Sequence, residues 1–162
     1  MTFERTIGKA AILLVDGNTY LRRLTRSMLL NAGARLIHEA GDGVEALDSI
    51  RRIGPDVMLI NWHLPALDGF EVVRIVRSPD DFPKPDLPII MMTEVGSVSR
   101  ITTALHIGVH EILVKPFAPR TLERQLQSVL MLPRPMVRAE GRYFPAPREG
   151  ANMDQLLSAA GG

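Results

Sequence analysis

The sequence predicts an α/β domain in which a parallel β-sheet is covered by helices on both faces. Short apolar runs alternate with segments whose apolar residues recur at helical spacing, and this alternation repeats five times. The apolar runs contain few polar residues, as expected for strands that are buried on both sides. A chain of 162 residues can hold one such domain and a tail.

The composition restricts the class of protein. The chain has no cysteine, which excludes disulfides and thiolate ligands and fits a reducing compartment. Its net charge of +1 gives no reason to expect long-range attraction to nucleic acid or to anionic lipid. No leader-like segment occurs, and no apolar run approaches the roughly 20 residues that a membrane-spanning helix needs. We expect a cytoplasmic protein with no nucleic-acid or membrane partner.

The first half of the chain provides two strand–helix units. Residues 11–15 form a buried strand, and Asn18 is suited to cap the helix that follows and that Gly33 ends. A weaker strand at residues 36–38 precedes a second helix, which Gly54 and Pro55 terminate. The predicted apolar stripe of the first helix is Leu21, Leu24, Met28 and Ala32, with Arg22, Arg23 and Arg26 facing outward.

The second half provides three more units. Strands are predicted at residues 57–60, 89–92 and 112–114. The turn pair Asp68-Gly69 precedes the third helix, and Gly108 ends the fourth. The connection before the fourth strand is unusually long and carries Pro79, Pro83, Pro85, Pro88, Asp80, Asp81 and Asp86.

A change in composition after the fifth helix indicates a tail. Pro133 breaks that helix, and prolines mixed with arginines follow. We divide the chain into an N-terminal extension at 1–8, a domain at 9–132 and a tail at 133–162. We expect an extended or flexible tail, with arginines that keep it soluble and a short helix near 153–157.

Polar residues end four of the five predicted strands. They are Asp16, Asn61, Thr93 and Lys115. In an open parallel sheet the ligand crevice lies outside the carboxyl ends of the strands, where strand order reverses, so these side chains are expected to meet there. Together they could bind an anion or orient a small polar ligand. Alternatively, these strands end in polar residues simply because the loops that follow are exposed to solvent.

Several short motifs accompany these strand ends, in order and at characteristic spacing. They are Leu14-Val15-Asp16, the stretch 64–69 that ends in Asp68-Gly69, Met92-Thr93, the Gly108 region and Lys115-Pro116-Phe117. In these motifs the chain resembles the receiver domains of bacterial two-component response regulators. The resemblance implies a flavodoxin-like doubly wound sheet with strand order 2-1-3-4-5. It also implies acceptance of a phosphoryl group from a histidine kinase or phosphotransfer protein, and a cis bond before Pro116.

The chain departs from the family at its reactive positions. The resemblance places the phosphate-accepting aspartate at Asn61 and the second acidic residue, which normally binds Mg²⁺, at Gly17. An amide is a poor nucleophile and cannot form the acyl phosphate. Asp16 is the only matched metal ligand left, so Mg²⁺ binding is expected to be weak or absent. Asp16, Asn61 and Lys115 could instead form a satisfied polar cluster without an ion.

Two further departures concern access and signalling. Glu94 occupies the usually small position after the family threonine, where it would repel an incoming phosphoryl group, or it is simply a solvated carboxylate at a helix start. The switch position, often aromatic in receivers, is Ile112. Thr93 is retained, but a lone threonine is as suited to capping the next segment as to signalling.

These features favour a non-enzymatic docking module of a phosphorelay pathway. The partner would be a histidine kinase, a phosphotransferase or another regulator, and a dimer is possible. Two alternatives remain: phosphorylation at an unorthodox residue, such as His63 or an aspartate formed by deamidation of Asn61, and flavin or nucleotide binding on the same fold. The resemblance places the docking face on the fourth helix, fifth strand and fifth helix, with candidates Ser99, Arg100, Thr103, Arg120, Glu123 and Arg124.

Overall fold

A computed structural model describes residues 7–78, 80, 82, 84–94, 98–132, 134–139 and 142–146. Five strands alternate with five helices in this part of the chain, and a two-stranded hairpin follows. The elements are β1 Ala11–Val15, α1 Thr19–Asn31, β2 Leu36–Ala40, α2 Gly43–Ile53, β3 Val57–Asn61, α3 Gly69–Val76, β4 Ile89–Glu94, α4 Val98–Ile107, β5 Glu111–Lys115, α5 Pro119–Met131, β6 Met136–Ala139 and β7 Arg142–Pro145. None of the helices in these ranges is both long and apolar enough to cross a bilayer.

The first five strands form one parallel sheet in the order β2-β1-β3-β4-β5, which confirms the predicted fold class. Strand order reverses between β1 and β3. The crevice of such a sheet lies outside the carboxyl ends of the strands at that reversal, and Asp16 and Asn61 lie there. The Lys115–Pro116 peptide bond is cis, as the resemblance implies.

Side-chain alternation along the strands builds a separate apolar core on each face of the sheet. In β1, Leu13 and Val15 join the core under α2, α3 and α4, whereas Ile12 and Leu14 join the core under α1 and α5. All four side chains are fully buried. The near-continuous apolar composition of the strands is therefore explained by burial on two sides.

Helix α1 begins as predicted, because the Asn18 side chain accepts a hydrogen bond from the Leu21 amide at 3.0 Å. The predicted core stripe of α1 is wrong in part. The core takes Thr25 and Leu29, whereas Leu24 is 47% exposed. More apolar residues lie along α1 than the core can cover, so the sequence period alone does not identify the buried flank.

The tail contains an antiparallel hairpin, β6–β7, which packs at the turn between α4 and β5. Arg134 donates to the His110 carbonyl oxygen and, at 3.5 Å, to the Ala146 carbonyl oxygen. The Tyr143 carbonyl oxygen lies so close to Gly108 that a Cβ there would approach it to 2.7 Å. Arg134 therefore attaches the hairpin to the domain, a role beyond the predicted solubility. The predicted helix at 153–157 lies outside the described residues.

A polar group, here called the arginine cluster, consists of the buried Arg77 and His110 and the half-buried Arg134. The Arg77 side chain is fully buried and donates to the Gly108 and Pro85 carbonyl oxygens at 2.9 and 2.7 Å. Its third nitrogen lies 3.3 Å from His110 Nδ1, which also accepts from the Ile89 amide at 3.2 Å. Because Nδ1 faces two donors, neutral His110 must carry its proton on Nε2.

Burial shifts the pKa values of this cluster. It lowers the pKa of Arg77 to about 9, although the negative charge of Asp86 acts in the opposite direction. Burial, together with the positive charges of Arg77 and Arg134, lowers the pKa of His110 from 6.5 to about 3. Burial also lowers the pKa of Arg134. His110 is consequently neutral in the folded protein near pH 7 and can act as an acceptor.

Candidate functional site

The carboxyl ends of β1, β3, β4 and β5 enclose a pocket of about 430 Å³, here called the site pocket. Three of the four predicted strand-end residues line it, namely Asp16, Asn61 and Lys115. Thr93 is not among the lining residues; its side chain is buried and its hydroxyl lies 3.3 Å from the Glu94 carbonyl oxygen. The full lining is Asp16, Gly17, Asn18, Leu21, Asn61, His63, Leu64, Pro65, Glu94 and Lys115.

Asp16 lies at the base of this pocket and is already fully engaged. Its side chain is 1% exposed. One carboxylate oxygen accepts from Lys115 Nζ at 3.0 Å and the other from the Asn18 amide at 2.9 Å. Lys115 reaches Asp16 because it ends β5 on the same edge of the sheet. The ion pair compensates the buried charge, so Asp16 is satisfied within the protein.

Asn61 ends β3, and its side-chain amide faces its own loop. The amide nitrogen donates to the His63 carbonyl oxygen at 3.1 Å. The loop lies close to the strand because Gly69 has no side chain; a Cβ there would lie 2.2 Å from the Asn61 carbonyl oxygen. Asn61 thereby becomes part of the β3–α3 turn. His63 lies beside it, at the exposed rim of the pocket.

Gly17 lies opposite the same loop. A Cβ at Gly17 would lie 2.8 Å from Pro65 Cδ and 3.4 Å from the Gly41 carbonyl oxygen. A contact under 3.0 Å requires something to move, and a proline ring atom on a short loop has little freedom to do so. The loop therefore occupies space that any side chain at position 17 would need.

Glu94 determines the remaining charge of the pocket. It pairs in register with Lys115 across β4 and β5, and its side chain is exposed. Because Lys115 offsets Asp16, Glu94 is left as the uncompensated charge among the described acidic and basic side chains that line the pocket. Glu94 is the last residue of β4, and α4 begins only at Val98, so Glu94 belongs to the pocket rim rather than to a helix start.

Sequence reasoning did not identify Arg22 as part of this end of the sheet. Arg22 lies on α1 and donates to the Asp16 carbonyl oxygen at 2.7 Å. Glu39 of β2 holds both Arg22 and Arg26 at 3.1 Å. Arg22 therefore does not simply face outward: it fixes the first turn of α1 against the end of β1. A cation four residues after the N-cap was the available signal.

The other predicted residues lie away from the site pocket. Ile112 is half-buried and packs against the core under α2, α3 and α4. Thr103 of α4 and Glu123 of α5 are half-buried, whereas Arg120 and Arg124 of α5 are exposed. Ser99 and Arg100 belong to α4, but their side chains lie outside the described part of the chain. The docking role of these six residues remains a prediction.

A second pocket, of about 440 Å³, lies between α1 and the loop after β5 and is here called the α1 groove. Its floor is apolar, and it shares Leu21, Glu94 and Lys115 with the site pocket. The surplus of apolar residues on α1 was the sequence signal for it. The lining residues are Leu21, Leu24, Thr25, Met28, Glu94, Lys115, Pro116 and Phe117.

Comparison with known proteins agrees with this architecture. The CheY homolog of the chemotaxis system in Campylobacter jejuni is 36% identical over 120 residues, which are 74% of this chain and 91% of that protein. The chemotaxis response regulator CheY4 of Vibrio cholerae superposes with a TM-score of 0.66 at 34% identity, covering 75% of this chain and 98% of that structure.

A third relative is of interest because of its metal ion. The receiver domain of a Pseudomonas aeruginosa sensor histidine kinase, which holds a magnesium ion in its active-site cleft, superposes with a TM-score of 0.65 at 28% identity. The aligned part covers 75% of this chain and 97% of that one. The family model for the response regulator receiver domain matches residues 12–127. The chain therefore belongs to the response regulator receiver domains of two-component signalling.

Proposed function

We propose that this receiver domain docks on a signalling partner without being phosphorylated. The observation that carries the proposal is Asn61, which ends β3 and lines the site pocket together with Asp16 and His63, at the position that the resemblance assigns to the acceptor carboxylate. The Asn61 side-chain amide donates to the His63 carbonyl oxygen. Unlike a carboxylate, an amide has no negatively charged oxygen that could attack a phosphoryl group. The scaffold is thus retained while the acceptor is replaced.

The donor set of the pocket supports a function without Mg²⁺. Magnesium binds through one or two carboxylates with near-octahedral geometry. Asp16 is the matched carboxylate, and its oxygens already accept from Lys115 and the Asn18 amide. A cation would have to displace the Lys115 ammonium, and Gly17 offers no second ligand. The residues present do not fit the metal.

The class of partner follows from the family. Receiver domains interact with histidine kinases and other regulators of two-component systems. We propose that this chain binds such a protein, a phosphotransferase included, in the cytoplasm. Its effect would come from occupying the partner, since the proposed mechanism contains no chemical step of its own.

A binding experiment with and without phosphodonor tests the proposal. The tagged full chain would be used to retain partners from extracts of its own cells, with acetyl phosphate and Mg²⁺ added or withheld. We expect the same partner at the same yield under both conditions. The Asn61→Ala variant is the matched control and should retain that partner equally. A several-fold change in yield that depends on phosphodonor would contradict the proposal.

A further inference from the structure

We propose that the tail hairpin is a releasable strap that closes over the turn between α4 and β5. The strap consists of residues 134–139 and 142–146, and the turn consists of residues 108–110. While the strap is docked, it covers the turn and restrains the end of α4. When it undocks as one unit, the turn becomes accessible. The device goes beyond the proposed function, since the site pocket lies at the opposite end of the sheet.

The α4–β5 turn is held from two sides. Its three residues are buried. On the inner side, Arg77 donates to the Gly108 carbonyl oxygen at 2.9 Å. On the outer side, Arg134 of the strap donates to the His110 carbonyl oxygen. The strap is therefore the outer wall of a turn whose inner wall belongs to the domain.

Arg134 fastens the strap to the turn and closes the strap at the same time. Besides the His110 carbonyl oxygen, its guanidinium reaches the Ala146 carbonyl oxygen at 3.5 Å. The Ala146 amide donates to the Pro135 carbonyl oxygen at 2.7 Å, which joins the two ends of the hairpin. An arginine presents several donors in a fixed planar arrangement, which suits it to hold two carbonyl oxygens at once. Arg134 is thus the latch of the strap.

The strap can leave the turn while the domain stays folded. Among the described residues, neither apolar core includes one from the strap, and the five-stranded sheet is complete without β6 and β7. A two-stranded hairpin is only marginally stable in water by itself. The outer side of the strap is in solvent, where Val137 is 46% exposed and Arg138 is exposed. Units with so little buried contact open locally before the whole domain unfolds.

A close backbone approach connects the strap to the end of α4. A Cβ at position 108 would lie 2.7 Å from the Tyr143 carbonyl oxygen of the strap. Gly108 follows α4 with a φ of +99°, and its amide donates to the Leu105 carbonyl oxygen at 3.2 Å. The same glycine therefore terminates α4 and receives the strap. Undocking of the strap consequently loosens the end of this helix.

The position of the strap makes it an autoinhibitory contact. It lies at the border between α4 and β5, two elements of the face that the resemblance assigns to docking. A partner that binds the covered turn must first release the strap. The apparent affinity of such a partner is reduced by the fraction of molecules in which the strap is open.

Amide hydrogen exchange of the full chain, followed residue by residue by NMR, tests the strap. In the wild-type protein the Ala146 amide should exchange about a hundredfold faster than the Leu13 amide of β1, because the strap opens without global unfolding. Arg134→Met should bring Ala146 to an unprotected rate and accelerate exchange at 108–110 about tenfold or more, with Leu13 unchanged. Arg138→Met changes an exposed arginine of the same strap and should leave all these rates unchanged.

Two glycine variants disturb the strap without changing Arg134. Gly108→Ala and Gly33→Ala both place alanine after a helix at a positive φ, +99° and +103°, and so strain the backbone to a similar extent. Only the Cβ at position 108 meets the strap, since no described atom lies within 4 Å of the one at position 33. Exchange of Ala146 should rise about tenfold with Gly108→Ala and stay unchanged with Gly33→Ala. The Cβ at position 108 also comes to 3.1 Å from Arg77 Nε, so Arg134→Met is the decisive variant.

Three results would overturn the strap. Equal exchange of Ala146 and Leu13 in the wild type would show that the hairpin opens only when the whole domain unfolds. Unchanged exchange of Ala146 in Arg134→Met would show that Arg134 is not the latch. Unchanged exchange at 108–110 in that variant would show that the hairpin does not restrain the turn. None of these measurements involves a phosphodonor, so they leave the proposed function to be decided by its own experiment.

Discussion

The two ends of the parallel sheet bury charge in different ways. At the carboxyl end, Asp16 is buried and its charge is offset by one side chain, Lys115, at 3.0 Å. At the amino end, Arg77 is buried and donates to the backbone carbonyl oxygens of Pro85 and Gly108. Asp16 and Lys115 line a pocket of about 430 Å³. Arg77, in contrast, is enclosed by α3, the segment that precedes β4 and the tail hairpin.

This difference separates the part of the molecule that can vary in function from the part that holds the fold. Replacing a side chain at the carboxyl end changes one partner of an ion pair at a pocket. Replacing Arg77 at the amino end leaves two backbone carbonyl oxygens and His110 Nδ1 without this donor at once, and buried unpaired groups are costly. We therefore expect substitutions to be most damaging far from the site pocket.

The largest effect is expected for Arg77→Met. This change removes donors to two carbonyl oxygens and to His110 Nδ1, and it should lower the free energy of unfolding by about 3–5 kcal/mol. Urea unfolding monitored by circular dichroism would measure it. The matched control is Arg74→Met on α3, the helix that Arg77 caps. The exposed pair of Arg74 with Glu71 at 3.4 Å should contribute at most about 0.5 kcal/mol. Equal losses for the two variants would remove the distinction between the two ends.

The next effect concerns the ion pair at the carboxyl end. Lys115→Met leaves the Asp16 carboxylate buried without its counter-ion, and we expect a loss of about 2–3 kcal/mol, because Lys115 is partly exposed and water can replace some of the interaction. Combining Lys115→Met with Asp16→Asn should restore part of this loss, since no buried charge remains. A double-mutant cycle in the same unfolding assay measures the coupling, and strictly additive losses would contradict the ion pair.

A smaller effect is expected from the arginine cluster, where His110 makes the free energy of unfolding depend on pH. Folded His110 binds its proton only near pH 3, whereas unfolded histidine binds it near 6.5, so the unfolded state holds more protons between these values and stability falls as the pH falls. Between about pH 6.5 and 5 this contributes a loss of about 1.5 kcal/mol.

The His110→Asn variant tests this contribution, because it keeps an acceptor near Nδ1 but does not titrate. Its stability should therefore decline less steeply with falling pH than that of the wild type. The same pair of proteins should show parallel curves above about pH 7.5, where histidine is neutral in both states. Parallel curves down to about pH 5 would show that His110 titrates normally.

The smallest expected effect is steric and lies at the site pocket. Gly17→Ala introduces a Cβ at 2.8 Å from Pro65 Cδ and should lower the free energy of unfolding by about 1 kcal/mol. Pro65→Ala should relieve most of this penalty in the double variant. Gly8→Ala, whose Cβ would approach the Gly33 carbonyl oxygen no closer than 3.4 Å, should have little effect. A neutral Gly17→Ala would show that the loop moves freely.

The sheet could be predicted from the sequence because its strands are buried on both faces and therefore consist of apolar runs. The convergence of Asp16, Asn61 and Lys115 could be predicted for the same reason, since parallel strands end at one edge of the sheet. The buried flank of α1 could not, because Leu24 and Leu29 are equally apolar and only packing against α5 decides which one the core covers.

The arginine cluster and the hairpin could not be predicted from the sequence for a different reason. Arginine is ordinarily a surface residue. The burial of Arg77 is compensated by the carbonyl oxygens of Pro85 and Gly108, which lie in two different loops outside α3. The β6–β7 hairpin depends in the same way on Arg134 reaching His110. Contacts of this kind leave no periodic signal in a single sequence.

The most direct test of the central claim is the intact mass of the purified wild-type chain after incubation with acetyl phosphate and Mg²⁺. Because Asn61 offers an amide and Asp16 is paired with Lys115, the proposed function predicts no increase in mass. The Asn61→Asp, Gly17→Asp double variant, treated identically, shows what a restored acceptor would give. Addition of one phosphoryl group to most wild-type molecules, mapped to a residue of the site pocket, would contradict the account.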